Sequence, residues 1–126
     1  MRLLIDTHIF LWYITGDLKK REFRDAIGDP ENETFLSVVS FWEATVKYKL
    51  GKLPLSQSPD VYIPEQRQLH GIESLPIDEE SVARLIGLPA FHQDPFDRML
   101  ICQALANDLT IVTVDPQIKK YSVPTL

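Results

Sequence analysis

The sequence predicts an α/β fold in which a central parallel sheet is flanked by helices. Short apolar runs without polar alternation recur along the chain, as expected of strands that are buried on both faces. Segments with apolar residues at helical spacing separate these runs, and strands that alternate with helices form βαβ units. No linker-like or repetitive segment interrupts the 126 residues, so we expect a single domain over residues 1–126.

The strands are predicted from apolar and β-branched runs between turn residues. They cover residues 2–5, 34–39, 72–77 and 110–114. The run at 72–77 is the weakest, and we expect it at an edge of the sheet because Pro76 cannot donate to a β-ladder. Crossovers between parallel strands are right-handed, so all these strands end at the same edge.

The helices are predicted from apolar stripes at spacings of three and four. They cover residues 40–50, 59–70, 78–86 and 95–106, and a further helix begins near Thr7. We expect the second of these to be interrupted near Pro64. In the third, the apolar face consists of Val82, Leu85 and Ile86.

The charge balance restricts the classes of partner. With 18 acidic and 13 basic residues the net charge is −5, which argues against a protein that binds nucleic acid through a basic face. An enzyme that acts on nucleic acid is not excluded, because clustered carboxylates can hold divalent cations. The lone Cys102 and the lack of a long apolar segment or signal peptide lead us to expect a cytoplasmic protein without membrane contact.

Four carboxylates stand near predicted strand ends, and each has a structural explanation as part of a helix cap. Ser40 and Glu43 match the spacing of a capping box. Aspartate followed by proline is a common helix start. The four candidate site residues are Asp6, Glu43, Asp97 and Asp115. Asp94 is a possible helix cap beside Asp97.

The predicted topology brings these carboxylates together at the carboxyl edge of the sheet, where α/β folds bind ligands. Carboxylates in one crevice repel one another unless a cation neutralises them, and hard ions such as Mg²⁺ or Mn²⁺ prefer oxygen ligands. No His/Cys spacing typical of zinc and no Gly-rich phosphate loop is present. We therefore expect an acidic metal site.

Four segments of the chain, in order, resemble the PIN-domain proteins and, among them, the VapC-type toxins of bacterial toxin–antitoxin pairs. They are LLIDTHIFLW, SFWEATVKYKLGKL, HQDPFDRMLICQAL and TIVTVDPQIKKY. The resemblance implies an α/β/α sandwich and an endoribonuclease that uses Mg²⁺ or Mn²⁺. It also implies RNA as substrate, a cognate antitoxin as partner and a tendency to form homodimers.

The resemblance also implies roles for individual residues. Asp6, Glu43, Asp97 and Asp115 fall on the acidic quartet of the family, which holds one or two metal ions and activates water to cleave the RNA phosphodiester. Thr7 and Thr113 match small hydroxyl positions beside the quartet. Many relatives have a basic residue where this chain has Gln93, which weakens any role of that position in holding phosphate.

Several alternatives stay open. Arg98 could contact phosphate or pair with a carboxylate, and Lys47 is expected to form an ordinary ion pair with Glu43. Trp12, Phe41 and Trp42 are expected to pack in the core or a dimer interface rather than on bases. The competing functions are a catalytically silent PIN-like binding module and a phosphatase with a nucleophilic Asp6. Phosphatases of that kind need a second aspartate where this chain has His8.

Overall fold

The fold is a single four-stranded sheet between helical layers. The computed structural model describes all 126 residues, Met1 to Leu126. All strand pairs are parallel, and the strand order is β3-β2-β1-β4. The strands are β1 (Arg2–Ile5), β2 (Glu33–Ser37), β3 (Glu73–Leu75) and β4 (Thr110–Val112). The predicted α/β/α class is confirmed, and the weakest predicted strand, β3, does lie at an edge.

Six α-helices and two short 3₁₀ segments connect the strands. The helices are α1 (Thr7–Thr15), α2 (Arg21–Gly28), α3 (Val38–Lys49), α4 (Pro59–Leu69), α5 (Glu79–Ala83) and α6 (Pro95–Asn107). The 3₁₀ segments are Arg84–Gly87 and Ile118–Lys120. None of the helices is both long and apolar enough to span a membrane.

The central strand β1 contributes to a separate core on each face of the sheet. Leu3 and Ile5 pack with α1, α2 and α4, whereas Leu4 packs with α6 on the opposite face. Successive strand residues point to opposite faces, so a strand covered on both sides needs apolar residues at every position. This explains the unbroken apolar run at the start of the sequence.

The strand order reverses direction at β1. The chain proceeds from β1 to β2 and β3 on one side, and β4 is added on the other side of β1. Ligands of open parallel sheets bind at such a point, outside the carboxyl ends of the strands. Asp6 directly follows β1, and Asp115 follows β4, so both predicted site residues lie at this reversal.

The start of α3 differs from the prediction in a way that matters for the site. The strand β2 ends at Ser37, and residues 38 and 39, which we predicted to be in the strand, already belong to the helix. Ser37 is the N-cap, because its Oγ accepts a hydrogen bond from the Val39 N–H at 3.0 Å. The predicted capping box of Ser40 and Glu43 is therefore wrong, and both side chains are free for other contacts.

Three further predictions of elements need correction. Helix α4 continues through Pro64 without a break. The helix predicted over 78–86 is α5 followed by a 3₁₀ turn, so its apolar face is not buried, and Ile86 is 98% exposed. Helix α2 was not predicted, although Phe23 and Ile27 lie four residues apart and are both buried in the core.

Candidate active site

Asp6 lies at the carboxyl end of β1, beside the end of β4, in the crevice where the strand order reverses. Its backbone N–H donates to Val112 O at 3.0 Å, which joins it to the adjacent strand. Its carboxylate accepts hydrogen bonds from the Thr7 N–H at 2.8 Å and from the Thr113 hydroxyl at 2.7 Å. Burial raises the pKa of Asp6, while these two hydrogen bonds oppose the rise and the charge of Glu43 adds to it. The carboxylate is thus fixed in orientation and in need of a positive partner.

Glu43 is 3% exposed and points from α3 toward Asp6. Thr7 Oγ1 lies 2.8 Å from Glu43 Oε1 and 2.8 Å from Ser40 Oγ. Because a hydroxyl has one proton, Thr7 donates to the carboxylate and accepts from Ser40. The other oxygen, Oε2, lies 2.5 Å from Lys47 Nζ. The expected ion pair is thereby confirmed, but its glutamate is buried beside the crevice rather than on a solvated face.

Asp97 lies one turn into α6. Asp94 Oδ1 accepts a hydrogen bond from the Asp97 N–H at 2.9 Å, so Asp94 is the N-cap of α6. Burial raises the pKa of Asp97 to about 7. A hydrogen bond from His92 opposes the rise, and the negative charges of Asp6, Asp94 and Glu43 add to it. The negative charges of Glu43 on α3 and of Asp6 at the end of β1 therefore act on Asp97, as expected if the carboxylates converge.

His92 lies between Asp97 and Asp115. His92 Nε2 lies 2.7 Å from Asp97 Oδ2 and 3.9 Å from Asp115 Oδ2. Asp115 Oδ1 accepts from the Gln117 N–H at 2.8 Å, and the Asp115 N–H donates to Thr113 Oγ1 at 3.0 Å. These bonds form a turn before the 3₁₀ segment. The aspartate–proline pair at Asp115 is typical of a helix start, but no α-helix follows it.

Arg98 holds the loop that carries His92. Its guanidinium donates to Pro89 O at 2.8 Å, to Leu88 O and His92 O at 3.4 Å, and to Tyr121 Oη at 3.3 Å. Tyr121 Oη also accepts from the His92 N–H at 2.9 Å. The guanidinium of Arg98 pairs with no carboxylate. Arg98 instead holds the loop and thereby orients His92.

The donor set fits a hard divalent cation. Thr7 joins the carboxylates of Asp6 and Glu43 through its N–H and its hydroxyl, and ligand atoms of His92, Asp97 and Asp115 lie within 4.8 Å of one another. Asp97 Oδ1 and Asp115 Oδ2 accept no hydrogen bond and are open to a ligand. Oxygen-rich sites of this kind suit Mg²⁺ or Mn²⁺.

Sequence reasoning identified the carboxylates but missed two of their neighbours. Ser40 was assigned to a cap, whereas it hydrogen-bonds Thr7 within the crevice. His92, which is not among the candidate residues of the sequence analysis, hydrogen-bonds the Asp97 carboxylate. The sequence did contain an indication of this contact. His92 stands five residues before Asp97, on the loop that leads into α6, a helix that begins with a proline.

Comparison with known proteins bears on the family and the fold of the chain. The family model for the PIN domain matches residues 3–124. Ribonuclease VapC16 of Mycobacterium tuberculosis is 34% identical over 71 residues, which cover 55% of this chain and 50% of that protein. The match thus spans about half the length of this curated relative.

Solved structures share the fold at low sequence identity. VapBC2 from Rickettsia felis, bound to a DNA fragment from its promoter, superposes with a TM-score of 0.74 at 14% identity, over 100% of this chain and 98% of that one. DNA-bound VapBC from Salmonella typhimurium gives 0.70 at 16% identity, over 100% and 97%. FitAcB from Neisseria gonorrhoeae gives 0.66 at 16% identity, over 98% and 96%.

Proposed function

This chain belongs to the PIN-domain family, and on that premise we propose that it is the ribonuclease toxin of a toxin–antitoxin pair, acting in the cytoplasm. The observation that carries the proposal is that Asp6 and Glu43 meet at Thr7, and Asp97 and Asp115 at His92, at the reversal point of the sheet. The partial match to a ribonuclease and the similarity to toxin–antitoxin complexes support it.

The four carboxylates would hold one or two Mg²⁺ or Mn²⁺ ions. A bound divalent cation makes water a usable nucleophile near neutral pH and neutralises charge that develops on the phosphate. The chain itself supplies fixed ligand orientations. Thr113 and the Thr7 N–H fix Asp6, the Thr7 hydroxyl fixes Glu43, and His92 fixes one oxygen of Asp97. Such supporting contacts normally strengthen metal affinity and activity.

Water attack on the phosphodiester needs no ribose 2′-hydroxyl and leaves a 5′-phosphate. Two features of the chain favour this chemistry over covalent catalysis by Asp6. Both oxygens of Asp6 accept hydrogen bonds, and position 8 is a histidine where a phosphatase needs its second aspartate. We also propose that the chain binds a cognate antitoxin and forms a homodimer, as the complexes of similar fold suggest.

A catalytically silent binding module is the competing function. Such a module would gain nothing from a carboxylate whose burial raises its pKa to about 7, with the negative charges of Asp6, Asp94 and Glu43 adding to the rise. A metal-dependent enzyme accounts for this arrangement, because the cation restores the balance of charge.

The test is RNA cleavage by the purified chain after removal of any antitoxin. We expect cleavage with Mg²⁺ or Mn²⁺, 5′-phosphate ends, and loss of at least about 100-fold in rate for Asp6→Asn and Asp97→Asn, in line with the loss of a principal charge-stabilising group. Asp25→Asn on the exposed surface of α2 is the matched control. Absence of cleavage with either metal, or full activity in both crevice variants, would contradict the proposal.

A further inference from the structure

The outer face of α3 carries an exposed aromatic residue beside the crevice. Trp42, which we expected to pack in the core or a dimer interface, directly precedes Glu43 and is 57% exposed, so it is not part of the core. Its indole packs against the ring of Phe96, which directly precedes Asp97, with centroids 4.9 Å apart and ring planes at 82°. The two rings thus link the helices that carry two of the crevice carboxylates, and each ring belongs to the residue directly before one of these carboxylates.

The same helix face continues into a stretch that has lysines and no acidic residue. Residues 44–59 contain Lys47, Lys49 and Lys52 and no acidic residue, although the whole chain has a net charge of −5. Lys49 follows Trp42 by seven residues, so it lies on the same face, about 10.5 Å further along the helix axis. Lys49 and Lys52 are exposed, and neither forms a salt bridge.

The cations closest to the crevice residues along the chain are already engaged. Lys47 pairs with Glu43, and Arg98 donates to loop carbonyls and to Tyr121. An RNA strand that approaches an acidic crevice therefore needs attractive contacts outside it. Exposed aromatic rings combined with lysines are the usual means by which proteins hold single-stranded nucleic acid, since every base offers a flat face for stacking.

We propose that the outer face of α3 is a track for single-stranded RNA, in which a base stacks on Trp42 and the backbone passes Lys49 and Lys52 on its way to the carboxylates. The proposal rests on the ribonuclease function proposed above. Phe96 holds the indole in one orientation before RNA binds, which reduces the entropy lost on stacking. Unstructured RNA should accordingly be preferred to duplex RNA, whose bases are already stacked.

Kinetics of cleavage of an unstructured oligonucleotide test the aromatic part. Loss of one stacked base weakens binding about 5- to 150-fold, so we expect Trp42→Ala to raise KM by that factor with kcat nearly unchanged. Trp42→Tyr should restore most of the affinity. Trp12→Ala, which removes the only other tryptophan, is the matched control.

Binding without cleavage tests the track directly, in an Asp97→Asn background. With Trp12→Phe added, Trp42 is the only tryptophan, and we expect the unstructured RNA to quench its fluorescence. Lys49→Ala should reduce the slope of log affinity against log salt by about 0.7. Trp42→Ala should leave that slope unchanged. Arg21→Ala, which removes an exposed charge from α2, is the control for charge.

Three outcomes overturn the proposal, and one concerns the ribonuclease function alone. Unchanged KM in Trp42→Ala, or fluorescence that RNA does not quench, excludes stacking while leaving the ribonuclease function intact. A dimer that dissociates in Trp42→Ala, seen by light scattering at unchanged Tm, assigns Trp42 to an interface between copies. If the unaltered chain cleaves no RNA but still binds the oligonucleotide through Trp42, the ribonuclease function fails and the track stands.

Discussion

Asp94 Oδ1 accepts a hydrogen bond from the backbone N–H of Asp97 at 2.9 Å, so one aspartate caps the helix from which the other reaches the crevice. The two residues are three positions apart and have the same chemistry, yet their surroundings assign them different tasks. Asp94 satisfies a backbone donor at the start of α6. Asp97 is buried beside other carboxylates.

Substitution of these two aspartates should change stability in opposite directions in the metal-free protein. At pH 8, Asp97→Asn removes a buried, repelled charge and should raise the free energy of unfolding. Asp94→Ala removes the cap and should lower it by about 1 kcal/mol. Urea unfolding in the presence of a chelator measures both. Asp94→Asn keeps the capping oxygen and is the control, and destabilisation by Asp97→Asn would contradict the crevice assignment.

The stability of the metal-free protein should fall as the pH rises from about 4 to about 7. The folded-state pKa of Asp97 is about 7, against an ordinary value of 3.8. Between these values the folded chain keeps a proton that the unfolded chain has released, so a rise in pH favours unfolding. Thermal melts across this range should show the decline, and Asp97→Asn should flatten it. Equal slopes in the two proteins would contradict the raised pKa.

Addition of Mg²⁺ or Mn²⁺ should raise Tm, because the cation binds the folded crevice and not the unfolded chain. At a hundred times the dissociation constant the gain is about 2.7 kcal/mol. Asp6→Asn should abolish most of the shift, and Asp25→Asn should retain it. The shift should also be larger at pH 8 than at pH 6, because protonation of Asp97 competes with the metal.

The sequence was sufficient for the parts of the fold that depend on local pattern. The apolar run of β1 and the aspartate–proline start of α6 each determine one element almost independently of the rest. Placement of the carboxylates followed from a general rule for parallel sheets, because the ends of all strands meet at one edge.

What could not be predicted depends on contacts between distant segments. Ser37 and Ser40 are both suitable caps for α3, and the structure uses Ser37, whose hydroxyl also hydrogen-bonds Gln103 Oε1 of α6 at 2.5 Å. Ser40 is then available to Thr7, which lies 33 positions away. The exposed stripe of α5 has a local cause instead, since a helix of five residues is too short for periodicity to fix its buried face.

Substitution of Lys47 tests whether its ammonium group occupies the place of a cation in the metal-free crevice. Burial lowers the pKa of Lys47, but the hydrogen bond and charge of Glu43, with the charges of Asp94 and Asp97, outweigh this and raise it. The side chain is therefore charged at neutral pH. Lys47→Met keeps the apolar stem and removes the charge, which leaves the buried Glu43 without its counter-ion.

We expect Lys47→Met to lower Tm in chelator and to bind Mn²⁺ more tightly in calorimetry, because no ammonium group then competes for Glu43. Lys47→Arg should remain close to the unaltered protein, and Lys119→Met controls for loss of an exposed lysine. Weaker Mn²⁺ binding in Lys47→Met would show instead that the lysine is needed to position Glu43 for the metal. Both roles of Lys47 predict the same loss of stability without metal, so stability alone does not distinguish them. The sign of the change in Mn²⁺ affinity does, because a competing lysine weakens metal binding and a supporting lysine strengthens it.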